Sequence, residues 1–587
     1  MTRQAVADAL EEIGLLLELR GENPFKTRAY GNGARILRSL DRDLAALVRS
    51  GELGTIPGIG AALSEKITTL VNTGELPYLE KLRAEVPPGL LDCLKIQGLG
   101  PKKAQVLWSC LGVTGLDSLE AACKEGRVKA LDGFGATTER KLLEGIERLR
   151  SQAGRFLQPV VQEAAERLLK TIRAVPGVLR AEAAGSVRRR AETSKDIDLV
   201  TSATDAEGVM DAFVAAAGIE EVTGRGPTKC SVRLVAGPAV DLRVVDDVSY
   251  PAALFYFTGS KAHNVAVRGR AQRLGFRLNE YGLVRNEDGA AVDCEDEAAI
   301  YAALGLAWIP PELREDQGEL EAAAHHSLPR LVAADDIRGV LHCHSTWSDG
   351  TATVAEMADA ARKLGLSYLG LCDHSQSAAY AGGLSVERVV AQREEIDRLN
   401  RTFGSEFRIL HGIESDILAD GRLDYPDEVL ERFDLVVGSV HSRFQLSANE
   451  QTARLLRAID NPYLDIVGHL TGRILLSRDP YPLHVERVLD AAAEAGVAVE
   501  INAHPERLDI DAKALRYGLA RGMQTAVNPD AHSTEGLQDI RYGLGIARKG
   551  WCTPDDVLNA WPLDRLLDHL SSRRARALAR GGARGSS

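Results

Sequence analysis

The chain changes its hydrophobic rhythm twice. Up to about residue 150, apolar positions recur three and four apart in short runs broken by turns such as Gly51-Glu52-Leu53-Gly54 and Asn72-Thr73-Gly74, which predicts helices. From about 151 to 245 a helical run, Val161 to Ala174, gives way to alternating segments that read as strands. These are Leu179 to Ala184, Ile197 to Val200, Cys230 to Val235 and Val240 to Val245. Residues 250–315 mix helix with short strands, and Pro310 to Asp336, acidic and alanine-rich, reads as a linker. Beyond Gly339 come short apolar runs spaced by helical segments: Val340-Leu341, Tyr368 to Leu371, Phe407 to Leu410, Leu435 to Val437, Asp465 to Val467, Ala498 to Ile501 and Thr525 to Val527. That alternation predicts a parallel β/α sheet or barrel. The tail 571–587, with Arg573, Arg574, Arg576, Arg580 and Arg584 among glycine and alanine, reads as basic and disordered.

Three segments of the helical third repeat one pattern. They are Ile56-Pro57-Gly58-Ile59-Gly60, Ile96-Gln97-Gly98-Leu99-Gly100 and Leu131-Asp132-Gly133-Phe134-Gly135, each followed by an amphipathic helix. The glycines permit a tight turn, and the helix N-terminus behind it presents unpaired N–H groups to a phosphate. The pattern resembles the helix-hairpin-helix motif, which implies a sequence-independent grip on the DNA backbone through Gly58, Gly60, Gly98 and Gly100.

Composition changes this picture little. A chain of 587 residues has room for several domains. No apolar run reaches membrane-spanning length, the N-terminus lacks a signal-peptide core, and eight cysteines show no paired spacing, so a cytoplasmic protein with reduced thiols is expected. The net charge of −12 runs against the basic footprint of a nucleic-acid binder. It averages over domains, however, and includes acids that bound cations would neutralise.

The first chemical constellation is Gly185-Ser186 followed by Asp196-Ile197-Asp198-Leu199-Val200. On a strand, Asp196 and Asp198 share one face while Ile197 and Leu199 enter the core. Two carboxylates side by side call for a hard cation such as Mg²⁺, and the Gly-Ser turn offers N–H groups to a triphosphate. Asp241, in the alternating strand 239–245, supplies a third acid for a two-metal nucleotidyl-transfer site.

With Tyr256-Phe257-Thr258-Gly259-Ser260, Asn264 and Arg268, these residues resemble the DNA polymerase X family over residues 1 to about 315. The resemblance implies that Gly185, Ser186 and Arg189 bind the incoming triphosphate. It places Tyr256, Phe257, Gly259 and Ser260 around the nucleotide, with Asn264 and Arg268 near the nascent pair. It also implies a deoxyribose-phosphate lyase with Lys66 as Schiff-base nucleophile and Tyr30 in support. The chain departs from the better-known animal enzymes at Ala62, in place of a phosphate-binding lysine, at Ala239, in place of an arginine, and at Lys261 and His263 beyond the Thr-Gly-Ser segment.

The second constellation occupies the C-terminal strands, where ten of the 13 histidines lie beyond residue 340. His342, His344 and Asp349, then His374, Glu414, His441, His469, Asp530 and His532, follow the apolar runs in order, where β/α barrels place their sites. Imidazoles mixed with carboxylates favour Zn²⁺, Mn²⁺ or Fe²⁺, and nine ligands imply two or three ions. The set resembles the PHP (polymerase and histidinol phosphatase) family of metal-dependent phosphoesterases over residues 337–570, which implies water attack on phosphorus. Arg473 and Arg507 are further candidates for a substrate phosphate.

The expected fold is multidomain: a helical helix-hairpin-helix N-terminal region, an α+β nucleotidyltransferase palm and thumb, and a C-terminal α/β, distorted TIM-like PHP barrel. Its expected bounds are 1–80 (lyase-like), 81–150 (second and third DNA-holding turns), 151–245 (palm), 246–315 (nucleotide pocket), 316–336 (linker), 337–570 (barrel) and 571–587 (tail). The expected function is a cytoplasmic, monomeric repair polymerase that uses dNTPs and Mg²⁺ to fill short gaps at 3′ ends of gapped or nicked DNA. The barrel, with Mn²⁺ or Zn²⁺, would remove 3′ nucleotides or blocked 3′ phosphates. Two alternatives stand beside it: a barrel acting on small phosphate esters, and a DNA-end-binding scaffold.

Overall fold

The computed structural model describes residues 1, 3–38, 44–96 and 98–584. It divides into two compact units, Met1–Ala153 and Gly154–Ser587.

Among the described residues, the regular elements of the first unit are all helices. Its long helices Arg3–Leu19, Pro24–Arg38, Ala61–Thr73, Pro101–Leu111 and Ala136–Gln152 enclose a core that includes Leu10, Ile13, Leu16, Ile67, Leu107 and Ile146. The three glycine turns adopt one conformation. Gly58, Gly98 and Gly133 have φ of +92°, +86° and +77°, in the left-handed region where a side chain would be strained. The apolar residue that follows each is buried (Ile59, Leu99, Phe134) and its N–H closes the turn onto Ile56, Ile96 or Leu131 at 3.0–3.1 Å. Gln97 lies outside the described residues. Gly60, Gly100 and Gly135 then cap the helices, with open space where a Cβ would sit on each.

The second unit begins with a five-stranded sheet in the order Val178–Ala183, Asp196–Ala203, Ala239–Val245, Lys229–Leu234, Ile219–Arg225. Asp196–Ala203 and Ala239–Val245 run parallel, and the other pairs are antiparallel. Helices Gln158–Arg173 and Ala206–Val214 contribute Val161, Leu168, Ile172 and Phe213 to a core shared with Ile197, Leu199, Val232 and Leu242. The strand Ile219–Arg225 was not anticipated. Six of its seven residues are exposed, so backbone pairing rather than burial holds it and no apolar alternation marks it. Helices Tyr250–Thr258, Lys261–Arg273 and Glu297–Ala303 and a three-stranded sheet follow around Phe255, Val267, Ile300 and Tyr301.

The expected linker 316–336 is packed rather than free. Its helix Glu319–Ala324 starts on a fully buried Glu319, and Arg314, just before it, is fully buried against Glu297 at 2.6 Å. The barrel then presents seven parallel strands in sequence order, all wholly buried but for the first residue of Arg408–Asp416. Both faces are covered, which is why each reads as a continuous apolar run. A bridge between Cys343 and Ala531 joins the first strand to the loop beyond the last. The tail expected to be disordered is helical to the end of Leu563–Arg584. Arg573, only 1% exposed, pairs with Asp465 at 2.8 Å, and Arg574 binds the same carboxylate. Residues 585–587 lie outside the described residues. No described helix is long and apolar enough to cross a membrane.

Candidate active sites

The palm carboxylates arise from strand register. Asp198 stands opposite Asp241 in the parallel pair, and Asp196 opposite Ala239. Ile197, Leu199, Val240 and Leu242 point into the core, so Asp196, Asp198 and Asp241 project from the other face. Burial, with the neighbouring Asp196 and Asp241 charges, pushes the Asp198 carboxyl up to about 6. Asp241 goes the other way: against its burial, Lys229 at 2.7 Å and Ser231 Oγ at 2.6 Å hold it below the usual carboxylate range. Crowded carboxylates of this kind fit divalent cations. Gly185 closes on them with φ +55°, and a Cβ there would fall 2.2 Å from Asp198 Oδ2, so the turn requires glycine. Ser186 Oγ donates to Ser194 Oγ at 2.7 Å.

The candidate nucleotide residues are only partly gathered. Arg189 donates to the Thr258 carbonyl at 2.5 Å and to Glu315 at 3.0 Å, beside Gly259. Tyr256 and Phe257 meet edge to face at 5.2 Å. Asn264 donates to the Tyr256 carbonyl at 2.8 Å, leaving its buried Oδ1 without a partner. Ser260 caps the helix that carries an exposed Arg268. His263 does not alter this pocket: its ring is fully buried between Glu319 at 2.7 Å and the Tyr301 hydroxyl at 2.8 Å. In the first unit, Lys66 Nζ lies 5.1 Å from the Tyr78 ring centre. Burial, then Tyr78, pushes the Tyr30 hydroxyl up to about 12, so the three side chains form one cluster.

The barrel brings its donors together far more tightly. Three overlapping groups each place their donor atoms within 4.8 Å of one another: His344, Asp349, His374 and His532; His342, His344 and Asp530; His374, Glu414 and His441. Glu414 lies at the centre, 2.9 Å from His374, 3.1 Å from His469 and 3.3 Å from His441. His344 stacks on His532 with centroids 4.1 Å apart. Two of the candidate ligands have positive φ, which is uncommon outside glycine, His469 at +22° and Asp530 at +52°. Burial alone would strip protons from these imidazoles, yet the carboxylates around Glu414 hold His374 up at about 11 and His441 at about 9. His344, beside other imidazoles, is instead driven down to about 3 by burial. The pocket therefore favours positive charge, which is the demand a divalent ion meets.

Two supporting carboxylates escaped the sequence reading. Glu500, fully buried, accepts from His342 Nδ1 and from the His469 N–H, each at 2.8 Å. Asp416 accepts from His441 Nδ1 at 2.6 Å. Such partners fix the ring that presents the other nitrogen to an ion. A lone Glu inside the apolar run Ala498 to Ile501 was the available signal for Glu500. Arg473, expected near a substrate phosphate, is spent elsewhere: it binds Glu192 of the palm at 2.7 Å, the Arg507 carbonyl at 2.9 Å and the Leu508 carbonyl. A second tie joins Lys549 to Glu315 at 3.0 Å and to the Arg189 carbonyl at 3.4 Å.

Glycine turns at helix N-termini, a three-carboxylate sheet and a histidine-rich barrel mouth fit a nucleotidyltransferase joined to a phosphoesterase-type domain. Residues 253–315 match the DNA polymerase beta thumb, 341–504 the PHP domain, 1–76 a helix-hairpin-helix domain and 90–148 a SAM-like helix-hairpin-helix tandem. The chain is 37% identical over 562 residues to the DNA polymerase/3′-5′ exonuclease PolX of Bacillus subtilis (strain 168), covering 95% of this chain and 98% of that one. It therefore belongs to the PolX family. Its barrel region is 30% identical to a probable phosphatase of Thermoanaerobacter sp. (strain X514), over 40% of this chain and 94% of the phosphatase. A probable phosphatase of Aliivibrio fischeri is 28% identical over a similar span.

Proposed function

We propose that this chain fills short gaps in DNA during repair and, in the same molecule, shortens or cleans 3′ ends. Extension occurs at Asp196, Asp198 and Asp241, with Mg²⁺ held by the three carboxylates. The Gly185-Ser186 turn and Arg189 take the triphosphate, while Tyr256, Phe257, Gly259, Ser260, Asn264 and Arg268 surround the nucleotide. End removal occurs at the barrel mouth, where His342, His344, Asp349, His374, Glu414, His441, His469, Asp530 and His532 hold two or three Mn²⁺ or Zn²⁺ ions. When bound, such ions activate an attacking oxygen and neutralise charge at phosphorus. The protein's own part is to fix those donors: Glu500 and Asp416 orient His342 and His441. The turns at Gly58, Gly60, Gly98 and Gly100 hold the backbone of gapped or nicked DNA, and the chain works as a cytoplasmic monomer.

The observation that carries this reading is the presence in one chain of a strand-borne carboxylate triad and a separate histidine-rich donor cluster. A 5′-labelled gapped duplex incubated with Mn²⁺ tests it. Extension is expected with dNTPs and shortening without them. Tight binding with neither reaction would leave a DNA-end scaffold. Because the barrel relatives are named probable phosphatases, a second reading makes the barrel a phosphatase. Faster turnover of small phosphate monoesters than of 3′-recessed DNA would favour it. Lys66, with Tyr30 and Tyr78 beside it, is proposed as the Schiff-base lysine of a lyase; borohydride trapping on an abasic 5′ end should vanish in Lys66→Ala.

A further inference from the structure

The rim of the barrel mouth carries an aromatic ring that the donor set does not use. Tyr380 is 73% exposed, although its ring centre lies only 6.2 Å from that of His374 and 6.5 Å from that of His441. Other aromatics of this end of the barrel are covered. Trp347 packs under Arg388 and donates to Glu395, and Phe444 packs against both Tyr481 and Arg478. Tyr380 alone among them leaves a large π-face in water beside a polar cluster.

The segment that bears it is pinned at both ends. Ser375 N–H donates to the Glu414 carbonyl at 3.0 Å, and Leu384 N–H to the His374 carbonyl at 2.9 Å. Ser377 donates from its N–H to Asp424 at 2.7 Å and from its hydroxyl to Asp416 at 2.8 Å. Gly383 lies so close to Ser375 that a Cβ would sit 1.9 Å from its carbonyl oxygen. Asp416 is also the acceptor for His441. One carboxylate thus sets both a donor imidazole and the loop that presents the ring. Arg507, in the loop that follows the strand Ala498–Asn502, has its Nη1 buried without a hydrogen-bond partner. A pinned, exposed aromatic face 6.2 Å from His374 and 6.5 Å from His441 matches a base stacked beside a phosphate held at the donor cluster.

We propose that Tyr380 is a positioning residue that stacks the 3′-terminal base of a nucleic acid strand, setting its phosphodiester over the donor cluster and selecting nucleotide ends over small phosphate esters. The inference rests on the reading of the barrel as a 3′-end remover. Stacking uses the ring and not the hydroxyl, so phenylalanine and tryptophan should replace tyrosine.

The test compares 3′-recessed duplexes ending in an ordinary nucleotide with duplexes ending in a base-less tetrahydrofuran residue, using the full chain with Mn²⁺. The wild type should favour base-bearing ends in KM by about ten- to hundred-fold, the range of one base–aromatic stack. Tyr380→Ala should collapse that preference to within about twofold of unity with kcat little changed, and Tyr380→Phe and Tyr380→Trp should keep it. The exposed position makes misfolding of these variants a minor concern, checked by an unchanged Tm. An unaltered preference in Tyr380→Ala, or a Tyr380→Phe as impaired as Tyr380→Ala, overturns the stacking role. A wild type that cleaves small esters but no 3′ end overturns the barrel reading itself, so the two failures are distinct.

Discussion

The palm and the barrel both gather acids for divalent ions, but they prepare them in opposite ways. In the palm, three carboxylates stand on one face of a sheet, Asp196 exposed at the start of its strand and Asp241 tied to Lys229. Among the described residues no imidazole groups with them as a metal-ligand set, and burial, with repulsion from Asp196 and Asp241, lifts Asp198 to about 6. In the barrel, the donors are interlocked, with Glu414 touching several imidazoles and Glu500 and Asp416 fastening the rings from behind. The palm leaves its carboxylates open on one sheet face, whereas the barrel presets its donors through hydrogen-bond partners behind the rings. On the proposed reading, that difference would suit ions that come and go with the nucleotide in the palm and ions held more firmly in the barrel.

That contrast can be broken at three points. The largest effect is expected at Glu500→Gln, which removes the negative charge behind His342 and His469 and turns one of its two acceptor oxygens into a donor: ion affinity of the barrel should fall about ten- to hundred-fold, read as ion content after dialysis. Unchanged content would mean that the donors hold their ions without that support. Next, extension at limiting Mg²⁺ should fall on the acid side. A carboxyl raised to about 6 is protonated below that pH, so activity should drop roughly tenfold for each unit below it, and the midpoint should move to lower pH as Mg²⁺ rises. A flat profile between pH 5 and 7 would contradict the crowding seen at Asp198. The smallest effect belongs to the tie between the halves. Lys549→Ala leaves Glu315 and Arg189 without their brace and should raise KM for dNTPs about three- to tenfold, with barrel activity kept.

Much of this was legible in the sequence, for physical reasons that differ by region. The glycine turns are local: a left-handed glycine, a buried apolar residue and an open cap leave a signature within five residues. The barrel strands are buried on both faces, so each is an apolar run, and their donors follow in order along the chain. What was missed depends on partners far away in sequence. Glu500 takes its meaning from His342, 158 residues distant. The tail reads as solvated until Asp465 buries Arg573. Arg473 looks like a phosphate ligand until Glu192, 281 residues away, claims it. The strand Ile219–Arg225 is invisible because nothing in it is buried deeply.

The most direct measurement of the central claim is separable loss in the full chain on one labelled gapped duplex. Asp198→Ala should lose extension by about a thousandfold or more while 3′ shortening persists, and His344→Ala should do the reverse. If either substitution abolishes both reactions in folded protein, the molecule does not contain two independent sites.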